Sequence, residues 1–168
     1  MWYVVQTLKG KEEKILINIE RDISKEQEKA FVLENERMYR IKGKWIKDRK
    51  PLFPGYLFVE TKDPTDFDVR LRKRYRPLKL LRMDGAITPL KPDEEEYFKL
   101  LGGSEHIVRY SEGYRRKDKV EIISGAFKGY KGEIKKLDRH NRQAKIELPL
   151  LGQMIEVEIG LGIVKSEI

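Results

Sequence analysis

The strongest constraint on this chain is a change of texture near Ser104. Up to that point strand-like and helix-like apolar patterns alternate. Beyond it, apolar residues recur only as short strands between turn residues, with no helical period. Alternating helices and strands need a layered α+β core, whereas about fifty residues of short strands suit a small barrel. The 168 residues are therefore expected to form two small modules.

In the first module, Met1 to Thr7 is β-branched and aromatic and reads as a strand that begins at once. Ile15, Ile19 and Ile23 repeat every four residues, with charged residues on the other face, which predicts a helix over 11–23. Ala30 to Lys50 alternates loosely about Lys42-Gly43-Lys44 and reads as strand, basic turn and strand. Pro54-Gly55 leads into the strand Tyr56-Leu57-Phe58-Val59. Asp63 as N-cap and Pro64 in the first turn open a second helix, which stops near Arg74 before Pro77. Leu78 to Met83 reads as a strand closed by Asp84-Gly85. Pro92 to Leu101 reads as a third helix with acids in its first turn, ended by Gly102-Gly103. This order predicts an α+β, ferredoxin-like domain over residues 1–104. Residues 105–116 have no clear period and read as a linker. Residues 117–168 predict a small SH3-like β-barrel.

Composition excludes several functions. The chain has no cysteine, hence no disulfide, thiolate zinc site or cysteine nucleophile. His106 and His140 lie far apart and are too few for a histidine-built metal centre. Glu94, Glu95 and Glu96 are accounted for by their helix start. No GxxxxGK[ST] loop or serine elbow is present. The expectation is a non-enzyme without metal or cofactor. Apolar runs fall well short of the roughly 20 residues that cross a bilayer, and MWYVVQT is no secretory leader. A soluble, cytoplasmic monomer with no membrane partner is expected.

Charge is the informative part. The chain carries 36 Lys+Arg against 28 Asp+Glu, a net +8. Seven bases and no acid lie between Arg70 and Arg82, and seven bases with only Asp48 lie between Arg37 and Lys50. These two stretches hold +13, so the remainder is net −5. Positive charge concentrated in this way suits phosphate binding, although a solvated helix end and an exposed hairpin would look the same. Tyr75 either stacks on an unpaired base or anchors its helix to the sheet. Pro51-Leu52-Phe53-Pro54-Gly55-Tyr56-Leu57-Phe58-Val59 holds more large apolar groups than one strand face hides. It is either all core or partly a protein-binding patch.

Three segments carry a family resemblance: Trp2-Tyr3-Val4-Val5-Gln6, Leu52-Phe53-Pro54-Gly55-Tyr56, and Gly125-Ala126-Phe127-Lys128-Gly129-Tyr130-Lys131-Gly132. Together they resemble the NusG family of transcription elongation factors, the first two its N-terminal (NGN) domain and the third its KOW motif. The resemblance implies that the N-terminal domain docks on the RNA polymerase clamp helices through an apolar depression. By motif that depression would use Phe53, Pro54, Tyr56 and Phe58, with Tyr97 and Leu100 from the third helix. It also implies contacts to RNA or non-template DNA near Arg70, Arg72, Lys73, Arg74 and Arg76. In the barrel, Phe127 would stand at the tip of a loop that meets ribosomal protein or Rho, unless it is a lid on the barrel. The Pro51–Glu60 segment and the strongly basic helix resemble specialised antiterminators of the LoaP/RfaH type. That implies an RNA-hairpin site on Arg115, Arg116, Lys128, Lys131, Lys135, Lys136, Arg139 and Arg142. The alternating Val120-Glu121-Ile122 and Ile155-Glu156-Val157-Glu158-Ile159 favour a stable barrel over an RfaH-like helical hairpin. The leading expectation is an antitermination factor that suppresses pausing and termination. The alternatives are a general NusG-type factor coupling polymerase to ribosome or Rho, and a ribosome-associated KOW RNA-binding protein.

Overall fold

In the computed structural model, which describes residues 1–164, the chain runs β1 (Trp2–Gln6), α1 (Glu12–Asp22), β2 (Lys29–Phe31), β3 (Glu34–Ile41), β4 (Lys44–Pro51), β5 (Tyr56–Glu60), α2 (Pro64–Arg74), β6 (Arg82–Met83), β7 (Ala86–Ile87), α3 (Pro92–Gly102), β8 (Ile107–Val108), β9 (Ser111–Arg116), β10 (Lys119–Ser124), β11 (Ile134–Asp138), β12 (Gln143–Leu150) and β13 (Gln153–Val164). The expected classes hold: an α+β first domain and an all-β barrel.

Strand alternation decides the layering of the first domain. The central sheet has the order β1-β5-β2, all antiparallel. Tyr3, Val5, Leu57 and Val59 point to one face, where Ile19 of α1, Ile23 just past its end, and Phe67 and Leu71 of α2 cover them. Trp2, Val4 and Phe58 point to the other, against Phe53 and against Phe98 of α3. Both faces of the sheet are buried, so its strands are apolar throughout. α2 starts as its sequence indicates: the Asp63 carboxylate accepts the Asp66 N–H at 3.1 Å and Pro64 follows it. β3 and β4 form a long antiparallel ribbon that leaves this sheet and carries the basic turn Lys42-Gly43 at its end.

The barrel has the order β10-β9-β13-β12-β11, its two antiparallel parts joined by a parallel β13–β9 pairing. Its interior is the alternating set Ala144, Ile146, Leu148 and Leu150 of β12 with Val157, Ile159 and Leu161 of β13. The strands expected over 120–123, 144–148 and 154–159 are present.

Two segments differ from expectation. Residues 105–116 are not a linker: β8 pairs in parallel with β3, and β9 is a barrel strand between β10 and β13. The inward positions of β9 are Ser111 and Gly113, both buried, so burial there leaves no apolar alternation. Small residues are required, because a Cβ at Gly113 would lie 2.6 Å from the Glu121 carbonyl oxygen. The segment 78–83 is also less regular than a strand. Only Arg82–Met83 pairs, with β7, while Leu80 makes a single bridge to Val5. The cause is Asp68, buried in α2, whose carboxylate takes the Leu80 N–H at 2.9 Å.

Burial pushes the Asp68 carboxyl up, but hydrogen bonds from Arg82 and the Leu80 N–H outweigh that and hold it below its ordinary value of 3.8. Asp68→Ala is expected to cost about 2–3 kcal/mol by stranding the Leu80 N–H and two guanidinium groups, read as a lower denaturation midpoint at unchanged m-value. The stabilisation is present above the ordinary carboxylate pKa and is lost as pH falls through the depressed folded value. The Asp68→Asn variant should therefore show a shallower acid limb in a stability-against-pH curve.

Candidate binding surfaces

The apolar residues of the expected polymerase depression separate into a floor and a rim. Phe53 and Phe58 are fully buried, and Phe53 packs edge-on against Phe98 with ring centroids 5.4 Å apart. They are core, which corrects their reading as surface contacts: the motif's turn at Gly55 sends both rings inward under α3. Pro54 is exposed and Leu100 is 80% exposed; Tyr56 and Tyr97 are half-buried against the same cluster. These four are the part a partner can touch.

The barrel lies against this domain, and its apolar interior and the α3 side of the sheet form one continuous cluster that includes Tyr97, Leu101, Tyr130 and Leu151. Burial, and secondarily the nearby Tyr130, push the Tyr97 phenol above its ordinary value. Glu94 fixes the contact. It is buried, and its carboxylate accepts the Lys91 N–H at the start of α3 (3.0 Å) together with the Leu151 (3.0 Å) and Gly152 (2.9 Å) N–H groups of the β12–β13 turn. Sequence reasoning assigned Glu94 only to its helix start. A carboxylate three residues into a helix was the visible half of the arrangement; the turn it holds lies 57 residues away.

A second contact joins the barrel to the ribbon. Arg37 pairs with Glu158 at 3.1 Å, and the Glu36 carboxylate accepts the Tyr110 N–H (3.1 Å) and an Arg109 guanidinium N–H (3.0 Å). β13 approaches β3 so closely that a Cβ at Gly160 would meet the Glu36 carbonyl oxygen. The Arg142 guanidinium sits over the Trp45 ring, 4.1 Å from its centroid.

The basic run of α2 is largely neutralised within the chain. Arg70 pairs with Glu28 (2.8 Å) and Asp66 (3.0 Å), Arg72 and Arg82 with Asp68 (3.1 and 2.6 Å), and Arg74 with Asp22 (3.7 Å). Burial lowers the Arg70 pKa, but Glu28 and Asp66 outweigh it and the net shift is upward. Lys73 and Arg76 are exposed and have no ion pair among the described residues. Tyr75 anchors its helix: its ring packs on the sheet cluster and its hydroxyl donates to Asp22.

On the barrel, Arg115, Arg116, Lys128, Lys131, Lys136 and Arg139 are exposed. Lys135 is engaged by Glu133 (3.2 Å) and Glu147 (3.4 Å), and Arg142 by Trp45. Phe127 is not an exposed tip. It is 3% exposed, stacks edge-on to Tyr130, and its backbone N–H donates to the buried Ser111 hydroxyl at 3.0 Å. The turn around Gly125 and Gly129 carries the ring back over the barrel mouth, so the lid alternative is the one present. Among the described residues, no group of three His, Asp or Glu side chains could hold a metal ion, and no helix is long and apolar enough to cross a membrane.

An α+β domain with an apolar motif turn, followed by a small β-barrel packed against it, defines a two-domain protein with binding surfaces and no catalytic constellation among the described residues. Residues 1–99 match the family model described as transcription termination factor nusG, and residues 116–148 match the KOW motif. The chain is 30% identical over 167 residues to the transcription termination/antitermination protein NusG of Bacillus subtilis, covering 94% of this chain and 93% of that one. It is 27% identical over 172 residues to the NusG of Thermus thermophilus, covering 94% of each. A solved structure described as domain interaction in Thermotoga maritima NusG aligns with a TM-score of 0.58 at 26% identity, over 94% of this chain and 92% of that one. The chain belongs to the NusG family, whose members are transcription factors and not enzymes.

Phe127→Ala is expected to destabilise the barrel by about 3–5 kcal/mol, measured as earlier loss of barrel amide signals on denaturation, where an exposed tip would cost almost nothing. Glu94→Gln should lower the hydrogen-exchange protection of the Leu151 and Gly152 amides while interior barrel amides such as Ile146 keep theirs.

Proposed function

We propose that this protein is an antitermination factor that binds RNA polymerase through its first domain and suppresses pausing and termination. The observation that carries the reading is the family match, which spans both domains in one chain. The polymerase contact would be Pro54, Tyr56, Tyr97 and Leu100, resting on the rigid floor of Phe53, Phe58 and Phe98. An apolar rim over a close-packed aromatic floor is preorganised, which limits the ordering cost of docking. Because the barrel occupies the Tyr97 side of this face, docking on the clamp helices would require the barrel to move off α3.

The nucleic-acid contacts at the end of α2 would fall on Lys73 and Arg76, which form no ion pair among the described residues, with Arg74 able to exchange its long, exposed pair with Asp22 for phosphate and Arg72 held more firmly by the buried Asp68. Arg115, Arg116, Lys128, Lys131, Lys136 and Arg139 would form an RNA-hairpin face on the barrel, with affinity falling as salt rises. A second reading is a general elongation factor that couples polymerase to ribosome or Rho; the curated relatives carry the name transcription termination/antitermination protein NusG, which covers termination as well as antitermination.

Terminator read-through with purified polymerase on templates with and without an upstream hairpin leader separates the two. Read-through that depends on the hairpin is expected; equal effects on both templates would establish the general factor, and none on either would end both readings. Tyr56→Ala should reduce polymerase binding at least tenfold with its thermal transition retained, a loss equivalent to about 1.4 kcal/mol or more.

A further inference from the structure

The β3–β4 ribbon carries a dense group of exposed positive charge. Arg40, Lys42, Lys44, Lys47, Arg49 and Lys50 are all exposed, and none forms an ion pair among the described residues. The only acid in the stretch, Asp48, accepts the Arg49 backbone N–H at 2.8 Å. This is the opposite of α2, where carboxylates of the same chain meet three of the arginines.

The cross-strand register places these cations on both faces. Arg40 faces Trp45, Met38 faces Lys47 and Glu36 faces Arg49 on one side; Ile41 faces Lys44 and Asn35 faces Lys50 on the other. A ribbon lying flat on a polyanion needs charge on one face only. A ribbon that enters a groove between two phosphate walls needs it on both. The major groove of B-form DNA admits a two-stranded ribbon and is about 8.5 Å deep. At about 3.4 Å per residue, the stretch from the Arg40–Trp45 pair to the turn fills it.

The barrel extends the same site. Arg40 and Arg142 both lie against the Trp45 ring, at 5.9 and 4.1 Å from its centroid, so two guanidinium groups from different domains share one indole. A cleft of about 480 Å³ between ribbon and barrel is lined by Arg40, Trp45, Lys47, Asn141 and Gln143. Asp48 also lines the cleft, but its carboxylate is taken up by the Arg49 backbone N–H at 2.8 Å. Arg40 and Arg142 form no ion pair among the described residues, which leaves the two guanidinium groups on the shared indole able to take an anion.

We propose that the ribbon tip and the Arg142 loop of the docked barrel form a composite site for double-stranded DNA, the tip entering the major groove and Arg40 with Arg142 meeting one phosphate strand. The site depends on barrel docking and shares no residue with the polymerase contact.

The test is fluorescence anisotropy of the full chain with a fluorescent 20-base-pair DNA duplex over a salt series, without polymerase. Arg40→Ala and Arg142→Ala should each weaken binding several-fold and reduce the slope of log K against log salt by about one. Lys62→Ala, an exposed lysine between β5 and α2 and away from the ribbon, should change neither. Glu94→Arg and, as a milder variant, Glu158→Ala release the barrel contacts; in either background Arg142→Ala should have no further effect. An unchanged slope in Arg142→Ala would overturn the composite site. So would an Arg142→Ala loss that persists in both released backgrounds. Equal or tighter binding of a duplex RNA of the same sequence would overturn groove entry, since the A-form major groove is too narrow for a ribbon.

Discussion

The relation between the two domains depends on one buried carboxylate. Glu94 accepts three backbone N–H groups, one from its own helix start and two from a turn of the barrel. Its helix-capping role persists whether or not the barrel is present, so side chain and helix are already ordered when the barrel arrives. The Leu151 and Gly152 amides, in turn, exchange protein for water when it leaves. Such exchanges are worth only about 0.5–1.5 kcal/mol net per hydrogen bond. The apolar contact around Tyr97, Leu101, Tyr130 and Leu151 adds area without directional bonds. A barrel held in this way is specifically oriented yet separable.

Two basic stretches of nearly equal charge meet different fates for a geometric reason. The arginines of α2 meet Asp22 of α1, Glu28 in the segment after it, and Asp66 and Asp68 one turn back on α2 itself. Glu28 and Asp22 lie more than forty residues away in sequence from the residues they touch, Arg70 and Tyr75. The ribbon projects beyond the central sheet, and its two strands pair mainly with each other, so no acidic element flanks its outer half. The same local charge density is thus a structural ion-pair network on one element and an open electrostatic surface on the other.

What was legible in the sequence follows the same division between local and distant causes. The alternation of β1, β5, β12 and β13, the Asp63 cap and the glycine end of α3 act over a few residues, and they produced the expected elements. Residues 105–116 escaped because β9 buries Ser111 and Gly113, which contribute no apolar period. Phe127 escaped because Gly-Ala-Phe-Lys-Gly is turn chemistry locally, while its burial is decided by Ser111 and the barrel interior. The apolar motif was legible as a motif, but its division into a floor of Phe53 and Phe58 and a rim of Pro54 and Tyr56 depends on α3, forty residues further on.

The two contacts of the barrel with the first domain also have a thermodynamic consequence. One, at Glu94, borders the proposed polymerase rim; the other sets Arg142 on Trp45 and completes the proposed DNA site. A single docking equilibrium therefore governs both surfaces. A ligand of the rim that displaces the barrel removes Arg142 from the ribbon, and a duplex held by ribbon and barrel together favours the docked state. Linkage requires the antagonism to be reciprocal in free energy. Its size is bounded by the barrel's share of the DNA contact: about one phosphate if Arg142 alone is lost, more if Arg139 moves with it. The fold thus supplies a means for upstream duplex and polymerase to compete for one barrel without sharing a single contact residue.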